Sequence, residues 1–144
     1  MPARRKVAGF RQTMDRLGLA VPDDHVVHTF FSVEGGAVAA SELIDRGVTA
    51  IVCGSDLMAL GAIRQARTLG LAVPDDVSVV GYDDSPLVAF TDPPLTTIRQ
   101  SVQAMCQAAA RALTDEIAGD AAARGEFVFR PELVVRGSTG AAPA

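Results

Sequence analysis

Three clusters of aromatic and polar residues each follow an apolar run that is typical of a buried strand. They are Phe31-Ser32, Gly54-Ser55-Asp56 and Tyr82-Asp83-Asp84. They supply an aromatic ring for stacking, hydroxyl groups, and carboxylates that accept hydrogen bonds from ligand hydroxyls or amines. Ligands of open α/β proteins bind where parallel strands end at a common edge of the sheet. The clusters therefore predict a recognition site for a polar, uncharged small molecule.

Each candidate also has a purely structural interpretation. Phe31 could be a core residue, and Asp56 fits the first turn of a helix, where a carboxylate interacts favourably with the helix dipole. Asp83 directly follows an apolar strand, so it could bind a ligand or form the next turn. We favour a helix-terminal role for Asp56, a ligand contact for Asp83 and turn capping for Asp84.

The sequence lacks the motifs of several enzyme classes. It contains no Gly-x-Gly-x-x-Gly and no glycine-rich phosphate loop ending in Lys-Ser or Lys-Thr, and Ser55 is not in a Gly-x-Ser-x-Gly elbow. The two cysteines have no metal-ligand spacing. His25 and His28, the only histidines, lie near the start of a predicted strand, away from the three clusters. We therefore expect no catalytic residues, no cofactor and no metal site.

Length and composition limit the class of protein. The chain has 144 residues, 49% of them hydrophobic and 21% charged, which suits one domain with a real core. Lys and Arg total 13 against 17 for Asp and Glu, giving a net charge of -4 and no basic excess to neutralise phosphates. No apolar run approaches the roughly 18 residues of a membrane span. We expect an unexported, soluble chain that does not itself bind nucleic acid.

An octapeptide, LGLAVPDD, occurs at 17–24 and again at 69–76. Its glycine suits the left-handed position that ends a helix, and its proline prevents the helix from continuing. Each copy therefore predicts a connection from a helix to a strand. Internal duplication and independent recurrence of one loop both explain the repetition.

Hydrophobic spacing predicts helices alternating with strands, which favours a doubly wound α/β fold with a parallel sheet. The predicted helices cover about 4–17, 37–47 and 56–69, and the predicted strands 26–31, 49–53 and 77–82. After a break at 92–94, we expect an extended stretch at 95–98, a helix from 102 to 119, an exposed loop at 120–125 and an edge or crossover strand at 127–136. Because the first helix has no preceding strand to pack against, we expect the chain to be part of a longer protein.

Five stretches carry a resemblance to a known family: 7–10 (VAGF), 53–62 (CGSDLMALGA), 73–84 (VPDDVSVVGYDD), 93–100 (PPLTTIRQ) and 132–139 (ELVVRGST). In order and spacing they resemble the lactose/galactose repressor family of bacterial transcription regulators. The resemblance implies the type I fold of periplasmic sugar-binding proteins, with two lobes that close over an effector. It implies that 1–94 and 127–139 form the C-terminal lobe, incomplete at its start. The crossover strand and helix at 95–126 would belong to the other lobe, and 140–144 would be a tail.

The resemblance also implies roles for individual residues. Phe31 matches the aromatic residue that stacks on the effector, and Asp83 matches the carboxylate that binds ligand hydroxyls. Ser55 is the polar residue before the motif's Asp, where many relatives have Asn, and Gln100 lies where the chain crosses between lobes. Lys6 stands where the family usually has Arg, so the bidentate fork of a guanidinium is lost there.

The implied function is effector sensing that controls operator binding allosterically, with the helix-turn-helix outside these residues. We expect a small sugar- or nucleoside-like effector, a cytoplasmic homodimer, and contact with DNA only through the absent domain. The alternative is a periplasmic solute receptor of a transport system. By analogy, the dimer interface would include 56–69 and 87–90, with an ordinary solvated face as the alternative. The candidate interface residues are Leu60, Arg64, Arg67, Leu87 and Phe90.

Overall fold

A computed structural model of the chain describes residues 2–119 and 125–142. The helices are α1 (Pro2–Arg16), α2 (Val33–Asp45), α3 (Asp56–Thr68) and α4 (Val102–Ala118). The strands are β1 (Ala50–Val52), β2 (Ser78–Asp83), β3 (Thr96–Arg99) and β4 (Glu132–Val134). Short 3₁₀ helices cover Asp23–His25 and Pro86–Ala89. Apart from Gly125, the loop predicted at 120–125 lies outside the described residues.

The strands form one sheet in the order β1-β2-β3-β4. The first three strands are parallel, with Ile51 opposite Val79 and Tyr82 opposite Ile98. β4 is antiparallel to β3 and lies at the end of the strand order. The α/β class is therefore confirmed, but the sheet is mixed rather than wholly parallel.

The strand predicted at 26–31 is wrong. Residues 26–30 are extended in part but belong to no strand, and the described residues provide no ladder partner for them. β-branched and aromatic residues favour an extended backbone, yet a strand forms only when a neighbour accepts its hydrogen bonds. Phe30 is 84% exposed as a result.

The extended stretch at 95–98, which was expected to start the crossover to the other lobe, lies elsewhere than expected. Its residues form β3, which pairs with β2 over Thr96–Arg99 and with β4 on its other side. Thr96 and Thr97 are fully buried within this sheet. The strand therefore belongs to the same sheet as β1 and β2, and the chain leaves that sheet only after Arg99.

The core lies between the sheet and α3. Ser55 caps α3, and the apolar face of the helix is buried at Ala59, Ala62, Ile63 and Ala66. Leu69, the last residue of the predicted helix, lies beyond its end and is exposed. These helical residues pack with Ile51, Val77, Val79 and Leu95 from the sheet side. The small side chains of α3 allow a close approach to α2, where a Cβ on Gly61 would lie only 1.9 Å from the Val33 carbonyl oxygen.

The octapeptide behaves as predicted at its glycines. Gly18 and Gly70 have φ values of 72° and 79°, and each follows the end of a helix. The second copy leads into β2, whereas the first leads into the unpaired stretch at 26–30. Among the residues described, no helix is both long and apolar enough to cross a membrane.

Candidate functional site

Lys6 of α1 reaches the carboxyl ends of two strands. Its Nζ donates a hydrogen bond of 2.9 Å to the carbonyl oxygen of Gly54, just beyond β1. The same ammonium lies 3.3 Å from the centre of the Tyr82 ring, at the end of β2, which is a cation–π contact. Partial burial lowers the pKa of Lys6, and the nearby negative charge of Asp83 opposes that shift. A helix outside the sheet thus contributes a cation to the strand ends.

Asp83 and Gln100 meet at the same edge. Asp83 is opposite Arg99 in the β2–β3 register, so Gln100 follows directly beyond the last pair. The Gln100 Nε2 donates a hydrogen bond of 2.7 Å to Asp83 Oδ1. Asp83 remains exposed, so its carboxylate can accept further hydrogen bonds from a molecule bound at this edge.

Phe31 lies beside Gly54. A Cβ placed on Gly54 would be 3.2 Å from two atoms of the Phe31 ring, so the ring covers the backbone at the end of β1. Phe31 is 52% exposed, which does not fit the alternative of a core residue. Lys6, Phe31, Asp83 and Gln100 are therefore all close to the carboxyl ends of β1, β2 and β3, and we call this group the strand-end cluster.

Ser55 has a different environment from the strand-end cluster. It is only 8% exposed, and its Oγ accepts a hydrogen bond of 3.4 Å from the Met58 backbone N–H at the start of α3. This is the ordinary role of a serine at a helix N-terminus. The contact with a ligand predicted for Ser55 has no counterpart in these contacts and stays a prediction.

The helix-terminal interpretation of Asp56 is confirmed. The residue is 3% exposed, and its carboxylate accepts hydrogen bonds of 2.6 Å from Thr97 Oγ1 and 2.7 Å from the Ser85 backbone N–H. The absence of a side chain at Gly81 makes room for it, because a Cβ there would lie 2.5 Å from Asp56 Oδ1. Asp56 thus joins α3, β3 and the loop after β2.

Asp84 does not cap a turn but binds two arginines. Its carboxylate accepts hydrogen bonds of 2.7 Å from Arg99 Nε and 2.7 Å from Arg136 Nη2, and its side chain is only 8% exposed. Burial by itself would raise the pKa of Asp84, but the hydrogen bonds and charges of Arg136 and Arg99 outweigh it and lower the pKa below its usual value. We call Asp84, Arg99 and Arg136 the arginine clamp.

Neither arginine of the clamp was among the residues predicted from the sequence. Arg99 lies at the end of β3 and Arg136 lies two residues after β4, so no periodic pattern places them next to Asp84. A signal was nevertheless present, because each arginine falls within one of the stretches that carry the family resemblance. Tyr82 was recognised at a strand end, but its contact with Lys6 could not be read from spacing.

The thiol of Cys53 is adjacent to this edge but is not available for chemistry. It is buried, and burial, followed by the negative charge of Asp56, raises the pKa of its thiol to about 12. Within 2–119 and 125–142, no group of three His, Cys, Asp or Glu side chains is arranged to hold a metal ion.

Three of the five candidate interface residues line one groove. Leu60, Arg64 and Arg67 line a groove of about 530 Å³ on α3, and Arg67 Nη2 donates a hydrogen bond of 3.1 Å to Asp92 Oδ2 across it. Leu87 and Phe90, next to this groove in sequence, are 75% and 86% exposed. The structure therefore leaves both of these apolar side chains uncovered.

Comparison with known proteins places this architecture in a family. Residues 2–139 match the model of the periplasmic binding protein-like domain. Over 99% of its length the chain is 61% identical to the HTH-type transcriptional regulator MalR of Streptomyces coelicolor, of which it covers 43%. It is 39% identical, over 96% of its length, to the HTH-type transcriptional repressor CytR of Escherichia coli, of which it covers 41%. The chain thus spans about two fifths of the length of these curated relatives.

Solved structures of transcription regulators have a similar fold. The transcriptional regulator CelR in complex with cellobiose matches with a TM-score of 0.86 and 36% identity, covering 92% of this chain and 41% of that one. A LacI-type transcription regulator from Bifidobacterium animalis matches with a TM-score of 0.86 and 32% identity, covering 97% of this chain and 51% of that one. The chain therefore belongs to the family of periplasmic binding protein-like domains, and within it to the lactose/galactose repressor family that its sequence motifs predicted.

Proposed function

We propose that this chain is the effector-sensing part of a bacterial DNA-binding transcription regulator and that its effector is a neutral sugar or a similar polyhydroxylated molecule. The observation that carries the proposal is the strand-end cluster, which gathers side chains from α1, the stretch before α2, β2 and the chain after β3 at one edge. This mixture of an aromatic ring, a carboxylate, an amide and an ammonium suits a ligand with several hydroxyl groups. The relatives described above are transcription regulators, so a transport receptor is not favoured.

Each member of the cluster has a chemical role in the proposal. The Asp83 carboxylate accepts hydrogen bonds from ligand hydroxyls, and Gln100, already bonded to it at 2.7 Å, adds an amide that both donates and accepts. The exposed ring of Phe31 packs against the apolar face of the ligand. Lys6 holds the edge of the site together through Gly54 and Tyr82, with Ser55 behind it as a helix cap.

Helix α4 supports a second lobe. It buries none of its residues and exposes Val102, Leu113 and Ile117 by 55%, 61% and 77%. We infer that α4 packs in the other lobe, whereas β3 and β4 stay with this one. An effector held between two lobes favours the lobe arrangement that it binds more tightly, and that difference in affinity would control operator binding.

The remaining partners follow from the same proposal. Operator DNA would be bound by a helix-turn-helix outside these residues, and the regulator would act in the cytoplasm as a homodimer. The groove at Leu60, Arg64 and Arg67 and the exposed side chains of Leu87 and Phe90 are our candidates for the dimer interface. The relatives are transcription regulators, and we propose no enzymatic activity.

The proposal is tested by substituting Asp83. Thermal-shift screening of the complete gene product against neutral sugars, nucleosides and purines should identify a compound that raises the melting temperature, because binding stabilises the folded state. Calorimetry should then find no binding of that compound to Asp83→Ala, while circular dichroism of the variant is unchanged. Asp115→Ala, an exposed carboxylate on α4, is the control and should bind normally.

Two results would contradict the proposal. Undiminished affinity in Asp83→Ala would remove Asp83 from the site. The absence of any thermal shift across the whole panel would count against an effector of this class.

A further inference from the structure

The backbone at the end of β2 has an unusual conformation. Asp83 and Asp84 have φ values of 115° and 55°, so two successive residues with side chains occupy the left-handed region. Such residues are uncommon, and they persist only where surrounding contacts hold them. Asp83 is also the residue that we expect to contact the effector, so its direction matters for binding.

The arginine clamp provides the contacts that hold this backbone. Arg136 makes three hydrogen bonds, from Nη2 to Asp84 Oδ1 (2.7 Å), from Nη1 to the Leu95 carbonyl oxygen (2.8 Å) and from its backbone N–H to Thr96 Oγ1 (2.9 Å). Its side chain is only 18% exposed. The guanidinium is therefore fixed to β3 on one side and grips the Asp84 carboxylate on the other.

Arg99 completes the clamp from the end of β3. Its Nε donates a hydrogen bond of 2.7 Å to Asp84 Oδ2. Its Nη1 donates one of 3.3 Å to Glu132 Oε2 on β4. Each oxygen of Asp84 thus has its own arginine. With both oxygens held by charge-assisted hydrogen bonds, the Asp84 side chain has one orientation, and this restricts the backbone to which it is attached.

We propose that Arg136 is a positioning residue of the effector site: by holding the Asp84 carboxylate, it keeps residues 83 and 84 left-handed and thereby directs Asp83 at the ligand. The inference rests on the proposed function, in which Asp83 binds the effector. Arg136 itself does not contact the ligand, so its influence passes through Asp83. Removing the clamp allows the two residues to relax to a more common backbone conformation, in which the Asp83 side chain points elsewhere.

The first test needs no ligand. Residual dipolar couplings of the backbone N–H groups are measured in the wild-type chain, in Arg136→Gln, and in Arg111→Gln, which makes the same substitution at an exposed site on α4. We expect the couplings of residues 83 and 84 to change in Arg136→Gln alone, with those of β1 and α3 unchanged. If Arg136→Gln fails to fold, Arg136→Lys, which keeps the charge but loses the fork, takes its place. Unchanged couplings at 83 and 84 would overturn the inference.

The second test is a double-mutant cycle with glucose, cellobiose, maltose and lactose as probes. Binding is measured by calorimetry on the complete gene product, because the effector is proposed to lie between two lobes. We expect Arg136→Gln to weaken binding about tenfold in the wild-type background but less than about twofold in the Asp83→Asn background, because residues that act through one another are not additive. Arg111→Gln should not change the affinity for the probe in either background.

The outcomes separate the inference from the proposed function. Equal loss of affinity in both backgrounds would mean that Arg136 acts on general stability, and the positioning role would be rejected. If the complete gene product binds none of the four sugars, a neutral sugar identified in the thermal-shift panel takes their place. If no neutral sugar binds, the sugar proposal fails, and the dipolar couplings alone then decide whether Arg136 holds the Asp83–Asp84 backbone.

Discussion

Helices α3 and α4 have similar apolar patterns and opposite surroundings. α3 buries six of its residues, among them Ala59, Ala62, Ile63 and Ala66, against the sheet and α2. α4 also carries apolar residues at helical spacing, yet none of its residues is buried, and Ile117 is 77% exposed. The difference teaches that periodicity defines which face of a helix is apolar, while the neighbouring elements decide whether that face is covered.

Connectivity explains the contrast. α3 lies between two adjacent parallel strands, β1 and β2, so the crossover must return across the sheet and bring its apolar face onto it. α4 connects β3 to β4, and the described residues include no further strand beneath it. Ser101 Oγ, bonded to the Arg130 carbonyl oxygen at 3.1 Å, links the chain where it leaves the sheet to the chain where it returns.

The largest difference between the two regions is expected in thiol chemistry. Cys53, beside α3, is buried with a pKa of about 12, whereas Cys106 on α4 is exposed. At pH 8 only about 1 in 10,000 of the Cys53 thiols is ionised, so its reaction with a disulfide reagent such as DTNB should be at least about 1,000-fold slower than that of Cys106. One fast thiol is expected in the native chain and none in Cys106→Ser. Two fast thiols would mean that Cys53 is accessible to the reagent.

Matched isoleucines test the same contrast in stability. Ile63 on α3 is 5% exposed and Ile117 on α4 is 77% exposed. We expect Ile63→Ala to lower the free energy of unfolding by about 3 kcal/mol, because it leaves a cavity in the core. Ile117→Ala should change it by less than about 0.5 kcal/mol. Urea denaturation of this chain followed by circular dichroism measures both, and similar losses in the two variants would show that α4 packs against these residues rather than only against the other lobe.

The smallest effect is expected in pH dependence. The pKa of Asp84 is lowered in the folded chain from an ordinary value of 3.8, so its ion pairs contribute stability above about pH 4 and lose that contribution as the pH falls through the folded value. The difference in unfolding free energy between wild type and Asp84→Asn should therefore have its maximum value at pH 6 and decline below pH 4. Asn tolerates the left-handed conformation, so the backbone is not the cause of the loss.

Asp115→Asn on α4 is the matched control for this prediction. Asp115 is exposed and makes no ion pair within the part of the chain that the structure describes. Its substitution should leave the pH dependence unchanged. A wild-type minus Asp84→Asn difference that does not vary between pH 6 and pH 3 would contradict the stabilising role of the arginine clamp.

Much of the local structure could be predicted because its causes are local. Hydrophobic spacing identified α3, and glycine followed by proline identified the ends of α1 and α3. The strand at 26–31 was mispredicted because strand formation needs a partner that no local pattern supplies. For the candidate site, the carboxyl ends of β1 and β2 could be predicted from the sequence, whereas the predicted strand before Phe31 does not form. Lys6 and Gln100 came only from the family resemblance.

The sequence by itself determined the α/β class, the family and the carboxyl ends of β1 and β2, including Asp83, because periodicity, helix ends and ordered motifs depend on neighbouring residues. Only the tertiary structure decided what distant side chains do. In the folded chain Asp84 contacts Arg136, 52 positions away, and Lys6 contacts Gly54, 48 positions away. Asp84, predicted to cap a turn, instead accepts hydrogen bonds from both arginines of the clamp. Such contacts depend on strand order and register, which bring together residues that no spacing along the chain relates.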